Sequence, residues 1–481
     1  MNRRTLLIAG IVPGVVVLVI AIVFLRTYDA TSSDTAQRDE SAHNVLLITL
    51  DTTRADRLGC YGYPKNTTPN LDALAADAVR FDRAISTSAI TPVSHASILT
   101  GLNPYQHDVR VFFGPTGHYL SAKHPTLASV LQAQGWTTAA FISAYPASDR
   151  FGLHWGFQVF ETGLAESMDG FDDGTGTPVT GTLAWARHRT AIAQQRRADV
   201  TTNETLKWLA NAPRPFCLWV HYFDPHDPHV VPPKEVTDRW DYSPSATNAK
   251  HLLYDSEVFF MDAHLGRLLQ WFRDSGTYDK TVIVVVADHG QGLGDHNWMQ
   301  HRLLYQEQIR LPLIVRYPGG PTNLVVNDLV RGIDVAPTIL ELLDVETPAS
   351  VEGRSLLPVI QGAPEPPRVG FAEALNTLDE FARGVVALPE HQNDLLFCAM
   401  DRTWKLIYHH NHPENSELYN LTDDPKEQHN VAATNREQFD RLRQWLADAG
   451  ALNIRIVEPE APLDEADRRK LESLGYIKGE N

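Results

Sequence analysis

The chain has 481 residues, of which 43% are hydrophobic and 21% are charged, and these fractions are ordinary for a globular protein. This length predicts one large domain, or a large domain with a smaller one, and it is ample for a buried core. The formal net charge of −17 argues against nucleic-acid binding, because proteins that bind nucleic acids carry a basic stripe. It does not exclude an anionic substrate, because a bound divalent cation would set the local field.

The N-terminal segment predicts a membrane anchor. Residues 5–25 are apolar and uncharged, and about 20 such residues span a bilayer. Arg3 and Arg4 precede the segment and are expected to keep the N-terminus in the cytoplasm. A cleaved signal peptide is the alternative, although the apolar run is longer than the usual ~7–15 residues and no small-x-small site follows it. We therefore expect residues 1–43 to be an anchor and linker, and the rest of the chain to lie outside the cytoplasm, in the periplasm or the extracellular space.

From residue 44 onward, short apolar strands alternate with helical patterns. The predicted strands are residues 45–50, 137–142, 216–222 and 281–287, and the predicted helices are residues 71–79, 126–134, 201–209 and 334–343. Such an alternation implies a parallel sheet with helices on both faces. The predicted fold class is therefore α/β, with a large mixed, mostly parallel sheet sandwiched by helices, and the predicted catalytic domain covers residues 44–346.

The pattern changes after residue 346. Residues 404–408 and 417–421 predict the two strands of a hairpin, and residues 438–449 predict a helix that packs on them. Residues 347–481 are therefore predicted to form a small C-terminal α+β subdomain, with a small antiparallel sheet and a terminal helix.

Two of the predicted strands end in acidic residues. Strand 45–50 is followed by Asp51, and strand 281–287 is followed by Asp288 and His289. Ligands bind outside the carboxyl ends of strands in open α/β sheets, so these side chains could hold one divalent cation. Oxygen ligands with one imidazole suit zinc, manganese, calcium or magnesium. The alternative is that each Asp only caps the helix after its strand.

Thr91 is a candidate nucleophile and ligand at that cation. It lies at the start of a predicted helix, and a helix N-terminus favours a negative group. A metal ion next to a hydroxyl lowers the pKa of the hydroxyl, which makes its oxygen a better nucleophile. The alternative is that Thr91 merely caps the helix.

Four ordered segments resemble the sulfatase family of the alkaline phosphatase superfamily. Residues 51–62 are similar to the family's first metal-binding segment, and residues 288–296 are similar to its second. Residues 94–101 are similar to the segment that follows the catalytic residue, and residues 417–427 are similar to the C-terminal signature. The match covers the chain from about residue 44 to its end. The resemblance implies an alkaline phosphatase-like fold, a divalent metal ion and hydrolysis of ester bonds.

The sequence departs from the sulfatases at the catalytic position. The family has a Cys or Ser there, with Pro two residues later and Arg four residues later, and the Cys or Ser is oxidised to formylglycine. Here the position is Thr91, which cannot give that aldehyde by the same route. His95, a further candidate catalytic residue, stands where the Arg is expected. An unmodified Thr resembles the phosphodiesterases, pyrophosphatases and phosphoethanolamine transferases of the superfamily. Thr52, in place of a second acid, favours the same branch.

A histidine-rich segment after strand 216–222 supplies the candidate general acid. By resemblance, His226 matches the family's His that protonates the leaving group, and an imidazole with a pKa near the working pH suits this role. Asp224 could orient His226 or bind a second metal ion. His229 could also take part in such a site, or it could be a solvated loop residue.

The resemblance suggests further site residues. His301 falls near the family's Lys that contacts the transferring group, so it could hydrogen-bond the leaving oxygen or bind a second metal ion. His296 could support a metal ligand. Ser143 could replace the sulfate-contacting Lys and His of the family, which are missing here. Arg54 could contact a non-bridging oxygen, or it could pair with Asp56 or another surface acid.

These residues predict a metal-dependent ester hydrolase. Thr91 would attack phosphorus or sulfur, and His226, alone or together with His301, would protonate the leaving alcohol. We expect phosphate esters to be preferred over sulfate esters. The alternatives are a sulfuric ester hydrolase that does not use formylglycine, a membrane-anchored phosphoethanolamine- or phosphoglycerol-type transferase, and a non-catalytic binding protein. The expected partners are a small-molecule, glycan or lipid ester and, through the N-terminal helix, the membrane.

Overall fold

A computed structural model describes residues 43–113, 117–163, 195–226, 231–379 and 388–454. The predicted anchor over residues 5–25 lies outside the described residues. Within the described ranges, no helix is both long enough and apolar enough to cross a membrane. The described chain forms two sheets, one of eight strands and one of four.

The larger sheet is mixed and mostly parallel. Its strands are β1 (Asn44–Leu50), β2 (Val79–Ile85), β3 (Thr137–Ile142), β4 (Val159–Glu161), β5 (Phe216–Tyr222), β6 (Thr281–Ala287), β7 (Arg310–Arg316) and β8 (Leu324–Arg331). They lie in the order β4-β3-β5-β1-β6-β7-β2-β8. Strand β7 pairs antiparallel with both β6 and β2, and the other neighbouring pairs of this sheet are parallel. The predicted sheet is confirmed.

The central strands are buried along their whole length. Every residue of β1, β5 and β6 is buried, as expected for apolar strands covered on both faces. The longer helices form two groups, and the helices of each group pack on one another. One group is Pro69–Ala76, Ala198–Leu209 and Ala249–Asp274. The other group is Thr91–Thr100, Leu127–Ala133 and Val335–Leu342. Shorter helices span Pro104–His107, Lys234–Arg239, Gln306–Ile309 and Leu357–Ile360. The parallel arrangement brings the carboxyl ends of β1, β5 and β6 to one edge of the sheet.

The smaller sheet is an antiparallel meander. Its strands are β9 (Gly370–Leu375), β10 (Leu395–Met400), β11 (Trp404–His409) and β12 (Glu417–Asn420), in the order β12-β11-β10-β9. Helix Arg436–Asp448 packs on β10 and β11 and buries Phe439, Leu442 and Leu446, whose spacing places them on one face of the helix. The predicted small antiparallel C-terminal sheet is confirmed, and β9 and β10 extend it beyond the predicted hairpin.

Two boundaries differ from expectation or stay open. The predicted helix over residues 71–79 was wrong at its end, because helix Pro69–Ala76 stops before Val79, which begins β2. Strand β2 pairs with β7 and β8 on its two sides, and this pairing overrides a local helical spacing. The described residues fall in one compact unit, so the domain boundary between residues 346 and 347 stays a prediction.

Candidate active site

Two buried carboxylates meet where β1 and β6 end. Leu50 lies opposite Ala287 in the parallel register, so Asp51 and Asp288 follow at the same edge of the sheet. Both are fully buried, and the Thr52 N–H donates to Asp288 Oδ1 at 3.0 Å. Asp51 Oδ1 and Asp288 Oδ2 have no hydrogen-bond partner among the described residues. Buried carboxylate oxygens without donors are costly unless a cation balances their charge.

His289 completes a candidate cation site with these acids. One ligand atom from each of Asp51, Asp288 and His289 lies within 4.8 Å of the others, and these three residues are called the cation site below. His289 Nδ1 donates to the Gly290 carbonyl oxygen at 2.9 Å, so Nε2 keeps its lone pair. Burial lowers the pKa of His289 to about 3, and burial raises the pKa of both carboxyls well above the usual range. This donor set fits a divalent metal ion.

Thr91 lies beside the cation site, at the N-terminus of helix Thr91–Thr100. Ile90 is the N-cap and Thr91 is the first helical residue, so Thr91 is not the residue that caps this helix. Its hydroxyl lies 3.3 Å from His289 Nε2, and the residue is only 2% exposed. The helix N-terminus favours negative charge on the Thr91 oxygen.

His95 is a buried residue that holds the backbone of Thr91. Its Nδ1 donates to the Thr91 carbonyl oxygen at 2.8 Å and lies 3.6 Å from Asp288 Oδ2. Its Nε2 accepts from the Thr49 hydroxyl at 3.1 Å, and this hydroxyl in turn accepts from the Trp219 indole N–H at 2.9 Å. Burial keeps the pKa of His95 well below its usual range. We therefore assign His95 as a neutral positioning residue rather than a catalytic acid.

His221 is a site residue for which the sequence pattern indicated no role. It belongs to β5, the neighbour of β1, and its Nε2 lies 3.2 Å from Asp51 Oδ2. The Ser143 N–H donates to His221 Nδ1 at 3.3 Å, so the ring hydrogen lies on Nε2 and is donated to the carboxylate. Hydrogen bonds of this kind orient metal-ligating groups. The many His and Asp residues in segment 221–229 were the signal, but only the pairing of β5 with β1 selects His221.

His226 and His301 line the more accessible side of the site. Both are partly exposed, whereas His95, His221 and His289 are fully buried. The ring centre of His301 lies 4.6 Å from that of His289 and 5.3 Å from that of His226. His301 Nδ1 donates to the Ala89 carbonyl oxygen at 2.7 Å, so Nε2 of the neutral ring is an acceptor. The structure therefore brings Thr91, His226 and His301 together around one cation site.

The model of the sulfatase family matches residues 43–345, which is more than half of the chain. The chain belongs to the sulfatase family. A second model, described as N-sulphoglucosamine sulphohydrolase, C-terminal, matches residues 294–449. The protein is therefore an enzyme that hydrolyses ester bonds, and its fold is that of the alkaline phosphatase superfamily.

Individual relatives of this sulfatase-family enzyme are distant but cover most of its length. N-acetylglucosamine-6-O-sulfatase of Bacteroides thetaiotaomicron is 24% identical over 503 residues, which cover 85% of this chain and 86% of the relative. A protein solved in complex with its substrate D-glucosamine-2-N,6-O-disulfate superposes with a TM-score of 0.68 at 20% identity, covering 85% and 98% of the two chains. The phosphonate monoester hydrolase of Agrobacterium radiobacter superposes with a TM-score of 0.65 at 23% identity, covering 86% and 96%. The two structures show the shared fold.

Asp224 and His296 lie outside the cation site of the enzyme. Asp224 Oδ1 accepts the Ala198 N–H at 3.0 Å, at the start of a helix, and burial raises the pKa of Asp224 to about 7. His296 Nδ1 lies 3.0 Å from Glu307 Oε1, and its Nε2 lies 3.1 Å from a backbone oxygen. These contacts stabilise the segments around the site. The third candidate for a second metal ion, His229, lies outside the described residues.

Arg54 and Ser143 make contacts other than the predicted substrate contacts. The Arg54 guanidinium donates to Asp56 at 2.7 Å and to Asp295 at 2.8 Å. These contacts match the second alternative for Arg54, in which it pairs with surface acids. Ser143 is fully buried, and its hydroxyl lies 2.5 Å from the His221 carbonyl oxygen, to which it donates. Its hydroxyl and its N–H both contact His221, and a contact between Ser143 and the substrate stays a prediction.

We expect His221→Phe to weaken metal binding by about 10–100-fold, the usual effect of losing a hydrogen bond to a ligand. Phe keeps a ring of similar size but removes the donor to Asp51 Oδ2. His221→Gln should lie closer to the parent, because its amide can supply a donor from a similar position. Competition with a chelator measures these affinities. Equal metal affinities of the parent and a folded His221→Phe variant would contradict the assigned role.

Proposed function

We propose that this protein is a metal-dependent ester hydrolase in which Thr91 is the nucleophile and phosphate esters are preferred over sulfate esters. One observation carries the proposal. The Thr91 hydroxyl lies 3.3 Å from His289 Nε2, and His289 is grouped with Asp51 and Asp288. The hydroxyl thus lies next to the ligands of the expected cation.

Asp51, Asp288 and His289 would hold the divalent cation. When bound, the cation supplies Lewis acidity, which lowers the pKa of the neighbouring Thr91 hydroxyl and offsets negative charge on the ester. The helix N-terminus favours the same charge on the Thr91 oxygen. The hydrogen bond from His95 to the Thr91 carbonyl oxygen fixes the backbone of the nucleophile before substrate binds. This preorganisation is expected to lower the barrier.

The side chains suit a two-step displacement. Thr91 Oγ, which has released its proton to solvent, attacks phosphorus, and the P–Oγ bond forms while the bond to the leaving oxygen breaks. A proton held by His226 passes to the leaving alcohol. Water then attacks phosphorus of the Thr91 adduct and passes a proton to His226, and Thr91 Oγ leaves as the deprotonated oxygen with which the cycle began. Because His301 Nε2 is an acceptor, we assign His301 to hold the attacking water rather than to protonate the leaving group.

The preference for phosphate follows from the second step. A phosphorylated Thr is released by attack of water at phosphorus, whereas a sulfated Thr is harder to hydrolyse. Formylglycine avoids this problem in sulfatases because its hydrate releases sulfate by elimination, a route that Thr91 lacks. The phosphonate monoester hydrolase with the same fold supports a phosphorus substrate. The sulfatase among the relatives favours the alternative, a sulfuric ester hydrolase.

The proposal is tested with substrates that share one aryl leaving group. We expect kcat/KM for the phosphate monoester or the phosphodiester to exceed that for the sulfate by at least about tenfold, which corresponds to about 1.4 kcal/mol of barrier. The metal-loaded protein is assayed on all three esters under the same conditions. A preference for the sulfate would overturn the proposed chemistry and exclude Thr91 as the attacking group. Acceleration by an added alcohol, with transfer to it, would indicate a transferase instead.

A further inference from the structure

The loop over residues 290–305 carries His301 and has an unusual backbone. Four of its non-glycine residues have a φ between 49° and 94°, namely Leu293, His296, Asn297 and Arg302. Positive φ is uncommon for residues with a Cβ, and such strained conformations persist only where the surrounding structure imposes them. Contacts from outside the loop must therefore hold it in shape.

Arg302 makes a buried contact of this kind. It directly follows His301 and has the largest φ of the four, 94°. Its guanidinium donates to Asp379 Oδ2 at 2.7 Å, and the two side chains are 2% and 0% exposed. The Arg302 carbonyl oxygen accepts from Asn376 Nδ2 at 3.2 Å. A buried ion pair holds its geometry, because separating the partners leaves buried charges uncompensated.

Asp379 is itself fixed by a second segment. It lies shortly after β9 of the smaller sheet, and it accepts the backbone N–H groups of Phe112 and Phe113 at 2.9 Å and 3.3 Å. The carboxylate therefore receives donors from residues 112–113 as well as from Arg302. Residues 112–113 lie outside the loop that carries His301, so Asp379 links this loop to a second segment.

We propose that Arg302 and Asp379 position His301 for catalysis, acting through the backbone of the loop. His301 is tied at its ring by the Ala89 carbonyl oxygen at 2.7 Å and at its own carbonyl oxygen by the Trp298 indole N–H at 2.9 Å. A change in the backbone at Arg302 therefore moves the imidazole relative to the cation site, and misplacements of about 1 Å can cost about 10²-fold in rate. The proposal rests on the role proposed for His301 above.

A double-mutant cycle on ester turnover tests this proposal. Arg302→Met removes the charge and the donors, and it should lower kcat at least tenfold while KM stays within about threefold. Arg302→Lys and Asp379→Asn should lower kcat less, because each keeps part of the contact. In a His301→Ala background, Arg302→Met should cause no further loss, since the pair acts through His301. Losses that add, or parent-like kcat in Arg302→Met, would overturn the proposal.

A matched ion pair elsewhere in the chain supplies the control. Arg368 lies 2.8 Å from Asp334, and these side chains are 1% and 0% exposed. Arg368→Met should lower the melting temperature without the selective loss of kcat, and an equal loss of kcat would contradict a specific role for Arg302. If Arg302→Met does not fold, the cycle is run with Arg302→Lys and Asp379→Asn.

The test is independent of the nucleophile. The cycle uses whichever ester the parent hydrolyses best, so a failure of Thr91 as the attacking group leaves the comparison intact. The ring ¹⁵N resonances of His301, identified by their loss in His301→Ala, give a second measurement without turnover. They should shift in Arg302→Lys and stay unchanged in Arg368→Lys, and unchanged resonances in both variants would contradict the proposal.

Discussion

Replacement of Thr91 by Ala should abolish ester turnover while the fold and metal content stay close to those of the parent. Removing a covalent nucleophile is expected to lower kcat/KM by at least about 10⁴-fold, or about 5.5 kcal/mol of barrier. The structural cost is small, because the hydroxyl gives up one hydrogen bond to His289 Nε2 at 3.3 Å, worth about 1 kcal/mol. Steady-state assays, thermal melting and metal analysis of the purified variant measure the three quantities.

Two variants separate the hydroxyl from its surroundings. Thr91→Ser keeps a hydroxyl at the same place and should retain most of the activity. Thr100→Ala removes another buried hydroxyl from the same helix, one that donates to the Ala96 carbonyl oxygen at 2.6 Å, and it should affect stability but not turnover. Activity of Thr91→Ala within about tenfold of the parent, roughly 1.4 kcal/mol of barrier, would exclude Thr91 as the nucleophile.

The core of this site could be predicted because it depends on local patterns. Asp51 and Asp288 each follow an apolar strand, and parallel strands bring their carboxyl ends to one edge. Thr91 opens a helix that the sequence already indicated between them. The prediction of these three positions depended only on where two strands end, where one helix begins and the directions of the strands.

The supporting residues could not be predicted because they depend on which strands are neighbours. His221 reaches Asp51 only because β5 pairs with β1. Ser143 follows β3, the other neighbour of β5, so its hydroxyl and its N–H contact His221. Arg54 donates to Asp295, which is 241 positions away in the chain. No local spacing encodes such contacts.

Backbone conformation was equally hidden from the sequence. Thr52 directly follows Asp51 and has a φ of 48°, a region that β-branched residues rarely adopt. In this conformation its N–H donates to Asp288 Oδ1, so the strained residue links the two acids. A sequence pattern predicts Gly or Asn for positive φ, and strain of this kind is recognised only in a structure.

The substitution Asp288→Asn should have opposite effects on the melting temperature in the presence and in the absence of metal. In the parent, Asp288 Oδ1 accepts the Thr52 and His289 N–H groups at 3.0 Å and 2.7 Å. Asp288→Asn keeps a side-chain oxygen that can accept both. It removes one of two buried carboxylates whose mutual repulsion raises the pKa of Asp288, in addition to burial. Without metal, we therefore expect the variant to melt at or above the temperature of the parent. With metal, we expect it to melt below the parent, because it binds the cation more weakly.

The size of the metal effect follows from linkage. A ligand that binds only the folded state stabilises it by about 2.7 kcal/mol at a concentration 100 times its Kd, so a chelator should lower the melting temperature of the parent clearly and that of Asp288→Asn or His289→Ala little. Asp262→Asn is the matched control, because Asp262 is a fully buried acid that accepts the Asn70 and Leu71 N–H groups at 2.9 Å and 2.8 Å. That variant should keep the full response to the chelator. If chelation changes neither the melting temperature nor the activity of the parent, Asp51, Asp288 and His289 do not form a metal site, and the acidity of Thr91 would need another source.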